Sequence, residues 1–374
     1  MASTSQEQTC ASLADRYRMI ESIEIKHFRG FEELRVLKCA PINVIVGENG
    51  TGKTALLEAI FLTLCGATDK GLMLRQLRGS DPTFQGDARA IVEAIFSEYF
   101  HGLDFKTRPS IRLGGSGPEV RALTIERGRG DVQIPTGAKS AKEAEILSPI
   151  VFEWTDANKH KRRAGVKVTP GGFQFENTGE ILPSNWFFFS AQVAVPARET
   201  ADRFGALRKA GGHKKFVALF TELFDWIEDI FVDSTAGGSV LAAVDRAQGV
   251  PLPLTAISGG INRMAAILLA AALQRKGILL VDEIENGIFY TKHVPFCRAL
   301  LRFAREYECQ LFLSSHSQEW LRALIEAAGK DVADISLWRI ERAPKSGPSI
   351  QRFSGKTFKA GIEHGGEVRR DQSS

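Results

Sequence analysis

The stretch PINVIVGENGTGKTALLEAIFLTLCG, residues 41–66, constrains the fold more than any other. β-Branched apolar residues run into a glycine loop, and Leu56, Leu57, Ile60, Phe61 and Leu64 then recur at helical spacing. This predicts strand, loop, helix. The loop reads G-x-x-x-x-G-K-[ST] at Gly47, Gly52, Lys53 and Thr54, with Asn49, Gly50 and Thr51 inside it. Glycines let backbone N–H groups wrap phosphate oxygens, the Lys53 ammonium faces the β- and γ-oxygens, and the Thr54 hydroxyl suits Mg²⁺. The following helix aims the positive end of its dipole at the same anion. The expected ligands are ATP and Mg²⁺.

ILLVDEIENG, residues 278–287, supplies the complementary carboxylates. An apolar strand delivers Asp282 to its carboxyl end, where ligands bind in parallel sheets, and Asp282 is the candidate Mg²⁺ ligand beside Thr54. Glu283, one residue on, is placed to polarise an attacking water. LFLSSHS repeats the pattern and puts His316 after a strand, where an imidazole can sense a γ-phosphate. With Lys53, these are the candidate catalytic residues.

TAISGGINRM raises a different question, because Ser258, Gly259 and Gly260 form a second anion-binding turn before a helix. One ATP has one γ-phosphate, and Lys53 already serves it. The economical reading is that this turn closes a nucleotide held by a second copy of the chain, the two arranged head to tail.

The rest of the chain is less ordered as a sequence. IESIEIKHFRGFEEL predicts two strands joined at Gly30. PSIRLGG reads as a strand, and ARAIVEAIFSEYF as strand or helix. IVFEWTD and VKVTPGGFQFEN read as a strand pair around the basic turn NKHKRRAG. NWFFFSAQVAV is a buried strand candidate. KKFVALFTELFDWIEDIFVD places Phe216, Phe220, Leu223, Phe224, Ile227, Ile230 and Phe231 on one face of a long amphipathic helix. From about 255 to 340 helices and strands alternate, which predicts a parallel sheet flanked by helices. The expected division is a loose extension at 1–18, core at 19–68, an inserted α+β lid at 69–250, core again at 251–365 and a frayed tail at 366–374.

Composition narrows the setting. Of 374 residues 44% are hydrophobic and 25% charged, as in soluble globular chains, and the net charge of +4 permits nucleic acid without requiring it. Cys10, Cys39, Cys65, Cys297 and Cys309 show no C-x-x-C spacing, so neither a zinc site nor a disulfide framework is expected. The N-terminus lacks an apolar leader core, and MAAILLAAAL is too short to span a bilayer. A cytoplasmic protein without membrane insertion is expected. Lys159, Lys161, Arg162, Arg163 and Lys167, and separately Arg208, Lys209, Lys214 and Lys215, are candidate DNA-phosphate contacts, with solvated turns the competing reading.

GENGTGKT, ISGGINR, ILLVDEIENG and SSHS, in that order, resemble the core of an ABC-class ATPase with a P-loop NTPase fold. The opening IESIEIKHFRGFEEL and the long gap before the signature resemble the RecF, SMC and overcoming-lysogenization-defect (OLD) branch, and DEIENG is close to bacterial OLD-like AAA-family ATPases. The likeness covers about 20–65 and 250–365. It implies ATP hydrolysis, ATP-driven dimers or higher oligomers, a role for Glu283 in activating water, γ-phosphate sensing by His316, and Ser258–Gly260 acting across the dimer. Gln192 is the candidate Q-loop glutamine, with an inert loop residue the alternative, and Arg29 lies where relatives approach the nucleotide, with structural packing at that turn the alternative. Ile257 and Ile261 depart from the leucine and glutamine common in transporters. The sequence shows neither a long coiled-coil repeat nor a C-x-x-C hook, and a Toprim nuclease domain after His316 is not expected. The resemblance implies work on DNA or in phage defence, with a separately encoded nuclease or toxin effector. A transporter energy subunit and a regulatory ATP-binding scaffold are the rival readings.

Overall fold

The computed structural model describes residues 20–66, 74–78, 93–116, 120–127, 150–169, 172–178, 185–235, 238–343 and 347–364. The chain begins as a meander. β1 (Ile20–Phe28) pairs antiparallel with β2 (Phe31–Leu37) across the Arg29–Gly30 turn. Ile23 and Ile25 point inward, while Glu24 and Lys26 face out and pair with Arg35 at 3.0 Å and Glu33 at 3.2 Å. β3 (Ile42–Val46) is buried throughout and leads into the glycine loop and α1 (Lys53–Cys65).

The segment expected as an inserted lid contributes to both sheets. β4 (Ser110–Gly115), β5 (Arg121–Arg127), β6 (Ile150–Asp156), β7 (Lys161–Thr169) and β8 (Gly172–Thr178) extend the first meander into a seven-stranded sheet, ordered β2-β1-β4-β5-β6-β7-β8. β9 (Trp186–Phe189) joins the other sheet instead. That six-stranded sheet also takes β13 (Ile278–Val281), β14 (Gln310–Ser314), β15 (Ile335–Ala343) and β16 (Gly347–Ser354), in the order β16-β15-β3-β14-β13-β9. Five of its strands are parallel and β16 runs antiparallel at an edge. β3, β13 and β14 are fully buried, as continuous apolar strands covered on both faces must be.

α1 lies between the two sheets and buries residues around its whole circumference, including Leu56, Leu57, Phe61 and Leu64. The far face of the parallel sheet carries α2 (Ala197–Lys209), α3 (His213–Leu223), α4 (Gly259–Leu273), α5 (His293–Glu306) and α6 (Gln318–Ala328). A three-stranded sheet of β10 (Ile227–Thr235), β11 (Gly238–Asp245) and β12 (Pro251–Pro253) precedes α4, and α7 (Gly355–Glu363) closes the described chain.

Three sequence expectations change. The long helix over 215–231 stops at Leu223. Phe224 is extended, and Ile227, Ile230 and Phe231 belong to β10, paired with β11. Apolar residues three and four apart fit a helix, but Ile227 and Ile230 reach the same core from a strand with a register shift between Ile227 and Asp229. The basic turn is shorter than NKHKRRAG. Only 157–160 turn, KRRAG lies within β7, and VKVT with GFQFEN forms the next hairpin. In NWFFFSAQVAV the strand covers only Trp186–Phe189. ARAIVEAIFSEYF is helical from 93 onward among its described residues. The expected loose ends at 1–18 and 366–374 lie outside the described residues. Among the described residues no helix is long and apolar enough to cross a membrane.

Candidate nucleotide site

Parallel strands share a direction, so the residues after β3, β13, β14 and β9 gather at one sheet edge. The glycine loop follows β3. Gly47 has φ 150°, and a Cβ there would stand 2.3 Å from the Ile340 carbonyl oxygen. Gly52 has φ 112°, and its Cβ would meet the Phe31 ring at 2.7 Å. Both positions therefore exclude side chains. Thr51 donates its hydroxyl to Glu48 O at 2.9 Å, while Asn49 and Gly50 are exposed. Lys53, 7% exposed, donates to Gly47 O at 2.8 Å and Glu48 O at 3.0 Å. Burial pushes its pKa down, and Asp282, Glu283 and Glu285 pull it back.

Asp282 follows β13 and is buried. Its Oδ2 accepts from Thr54 Oγ1 at 2.9 Å, and its Oδ1 from Ser314 Oγ at 2.5 Å. Burial raises the Asp282 pKa despite both hydroxyls. A buried carboxylate beside a threonine hydroxyl is an oxygen donor set that fits Mg²⁺. Glu283 has a left-handed backbone, φ 46°, and its N–H donates to Ser314 Oγ at 2.8 Å. The Glu283 carboxylate accepts from Asn286 Nδ2 at 2.8 Å and lies 3.8 Å from His316 Nδ1. His316 is half exposed.

Several residues that hold this cluster were not singled out in the sequence. Glu285, nearly buried, accepts from the backbone N–H groups of His316 and Ser317 at 2.8 and 3.0 Å and sits 3.2 Å from His316 Nδ1. Ser314 joins Asp282 to the Glu283 backbone. Arg263, buried in α4, donates to Ser190 O and Asp282 O, each at 2.7 Å, and to Glu283 O at 3.3 Å. The arginine after ISGG was visible, but nothing in the sequence said which carbonyls it would reach.

Gln192 is exposed just beyond β9, and its N–H donates to Ser190 Oγ at 3.1 Å. Asn262 Nδ2 donates to Val195 O at 2.9 Å, so α4 grips both ends of the 190–195 segment. Ser258 caps α4 by accepting from Gly260 N at 3.2 Å. The Ser-Gly-Gly turn packs on the loop after Glu285. A Cβ on Gly260 would lie 1.8 Å from Gly287 O. Thus Lys53, Thr54, Asp282, Glu283 and His316 come together, while the Ser258–Gly260 turn packs on Gly287.

Arg29 is engaged in packing. It forms an ion pair with Glu58 of α1 and lies over the Phe28 and Tyr99 rings at 5.4 and 5.6 Å. Arg78 holds the same carboxylate at 2.8 Å through two nitrogens. Burial still raises the Glu58 pKa to about 7. Part of the basic cluster pairs within its own sheet. Lys161 pairs with Glu153 at 2.9 Å, Arg163 with Glu126 at 3.6 Å, and Arg162 is buried.

The AAA domain family matches residues 22–162. An ATP/GTP phosphatase of Helicobacter pylori is 22% identical over 336 residues, 82% of this chain and 87% of that protein. The DNA replication and repair protein RecF of Idiomarina loihiensis is 45% identical over 99 residues, 26% of this chain and 27% of that protein. The DNA double-strand break repair Rad50 ATPase of Methanopyrus kandleri is 31% identical over 134 residues, 35% of this chain and 14% of that protein. The chain thus spans most of the phosphatase but only a small part of RecF and Rad50. Among solved structures, an SMC head bound to the C-terminal winged-helix domain of ScpA has the same fold, with TM-score 0.50 and 13% identity over 90% of this chain and 98% of that one. In motif order and sequence this chain is similar to ATPases of the RecF type, and it has the fold of SMC heads.

Proposed function

We propose that the protein is a Mg²⁺-dependent ATPase whose two copies close head to tail over two nucleotides. The observation that carries this reading is the division of the motifs. Lys53, Thr54, Asp282, Glu283 and His316 share one edge, whereas the Ser258–Gly260 turn packs on Gly287. A turn suited to an anion, with its second glycine against Gly287 rather than against Lys53, is suited to a neighbour's nucleotide. Phe289 and Tyr290, 68% and 64% exposed on the loop that follows Gly287, support an interface there.

In this reading the loop amides and Lys53 hold the phosphates, and Thr54 and Asp282 hold Mg²⁺, which would neutralise phosphate charge. Glu283 accepts a proton from the attacking water. Its carboxylate is aimed by Asn286, and its backbone by Ser314 and Arg263. His316, set by Glu285, contacts the γ-phosphate, and Gln192, just beyond β9, is the candidate sensor on the 190–195 segment. The RecF and Rad50 likeness supports a role in DNA repair or a related DNA process, with a separately encoded effector a further partner. The Lys161–Arg163 strand is not the DNA contact in this reading, because its charges are already paired or buried.

The test is the solution mass of Glu283→Gln with Mg-ATP and with Mg-ADP. A larger assembly only with ATP, lost in Ser258→Arg, is expected. Bound ATP with no change of mass in either nucleotide would sink the clamp and leave a regulatory scaffold or a transporter-type subunit.

A further inference from the structure

A cavity is lined by the 188–196 segment and the start of α2. It encloses about 240 Å³. Its walls are mostly apolar, chiefly Leu77, Phe188, Phe189, Val193, Val195 and Pro196, with Gln76, Ser190, Glu199 and Arg203 as the charged or polar members. Arg203 is the unusual one. Its side chain is 9% exposed and lies over the Phe187 and Phe189 rings at 4.3 and 5.0 Å. Its Nη2 pairs with Glu199, one turn earlier on α2, but its Nη1 is buried without a hydrogen-bond partner.

A buried guanidinium with an unused donor is costly, and most such groups in folded proteins are satisfied. Glu199 is an incomplete counterion. Its side chain is 47% exposed, so it can turn into water with little loss. The cavity is smaller than the usual range for drug-sized ligands, and it offers one cation against an apolar body. We propose that this cavity binds a small monocarboxylate carried on an aliphatic or aromatic body, whose carboxylate replaces Glu199 on Arg203. A dianion fits less well, because only one positive charge lines the space. The site stands independently of the nucleotide reading, although both share the segment that carries Gln192.

The test uses the full chain and ligand-observed NMR with hexanoate and benzoate against their uncharged amides. The acids bind and the amides bind at least about tenfold more weakly, the loss of one charge-assisted contact. Glu199→Gln removes the competing carboxylate and tightens the acids about threefold. Arg203→Met abolishes binding. Because that change removes a buried side chain, Ala194→Trp serves as a second variant, blocking the mouth from an exposed position with the core untouched. Equal binding of acids and amides, no binding of the acids at millimolar concentration, or binding that survives Ala194→Trp would each overturn the proposal. Binding only of a peptide ending in a leucine carboxylate would also overturn it, in favour of a protein partner.

Discussion

Replacing Arg263 tests whether the site is held together from α4. Its two short bonds, to Ser190 O and Asp282 O, are each 2.7 Å. Charge-assisted bonds of this kind contribute about 1.5–3 kcal/mol each, or about 3–6 kcal/mol for the pair. The opposing term is desolvation. Burial lowers the Arg263 pKa, and its Nε has no hydrogen-bond partner. Relief of that burden returns on the order of 1–3 kcal/mol. Taking the middle of each range, Arg263→Met, similar in length and apolar, should therefore lower stability by about 2.5 kcal/mol. Arg263→Lys keeps the charge but cannot span two carbonyls as a planar fork does. It should fold more stably than the methionine variant and still lose kcat by at least about tenfold, since a displacement of about 1 Å can cost about a hundredfold. Urea unfolding gives the first number and steady-state phosphate release the second. Wild-type kcat in Arg263→Lys would refute the coupling, even if the stability loss were as expected.

Asp282→Asn separates stability from function. The folded pKa of Asp282 is raised by burial, so its contribution to stability is present in acid and is lost as pH rises through the folded pKa. The nucleotide-free asparagine variant should thus be more stable than wild type at pH 7.5, with the gap narrowing towards pH 4.5, in urea titrations at both values; an equal gap at both would contradict the assignment. Gly260→Ala brings a Cβ to 1.8 Å from Gly287 O, so the start of α4 or the Gly287 loop must move. ATP binding to the variant's own phosphate loop should persist while ATP-driven association is lost, as read by filter binding and light scattering. Neutralising Lys161 and Arg163 together should leave the salt dependence of any DNA binding unchanged, because both charges are already paired with Glu153 and Glu126; a flatter slope would restore β7 to the interface.

What the sequence made legible follows from how locally each feature is determined. β13 and β14 are continuous apolar runs, and α6 begins at the Ser317 cap, so each carries its own signal. The α3–β10 boundary does not. Phe224, Ile227 and Ile230 satisfy a helical period and a strand in contact with the same core, and pairing with β11 decides between them. The β7 charges were visible as composition, but which arginine is buried depends on the strand's register against β6. The same limit hides Ser314, Glu285 and Arg263. A serine after an apolar strand, an acid three residues past Asp282 and an arginine past a glycine turn are ordinary in sequence. Their roles arise from atoms more than 15 residues away.

The position of Arg263 also bears on how two nucleotides would be kept in step. It lies on the same helix as the Ser258 cap, five residues on, and its guanidinium ends on the carbonyls of Ser190, Asp282 and Glu283. Asn262 adds a grip on Val195, at the other end of the segment that carries Gln192. The Ser-Gly-Gly turn, the 190–195 segment and the strained Glu283 backbone are therefore joined by side chains from a single helical turn. If Ser258–Gly260 closes a neighbour's nucleotide, a shift of α4 on closure is felt at Glu283 through one or two hydrogen bonds, with no need for a longer path. A buried, incompletely satisfied arginine is a poor choice for stability alone. It is a good one where the start of a helix must report to a carboxylate outside that helix, and that is the role that the kcat of Arg263→Lys isolates.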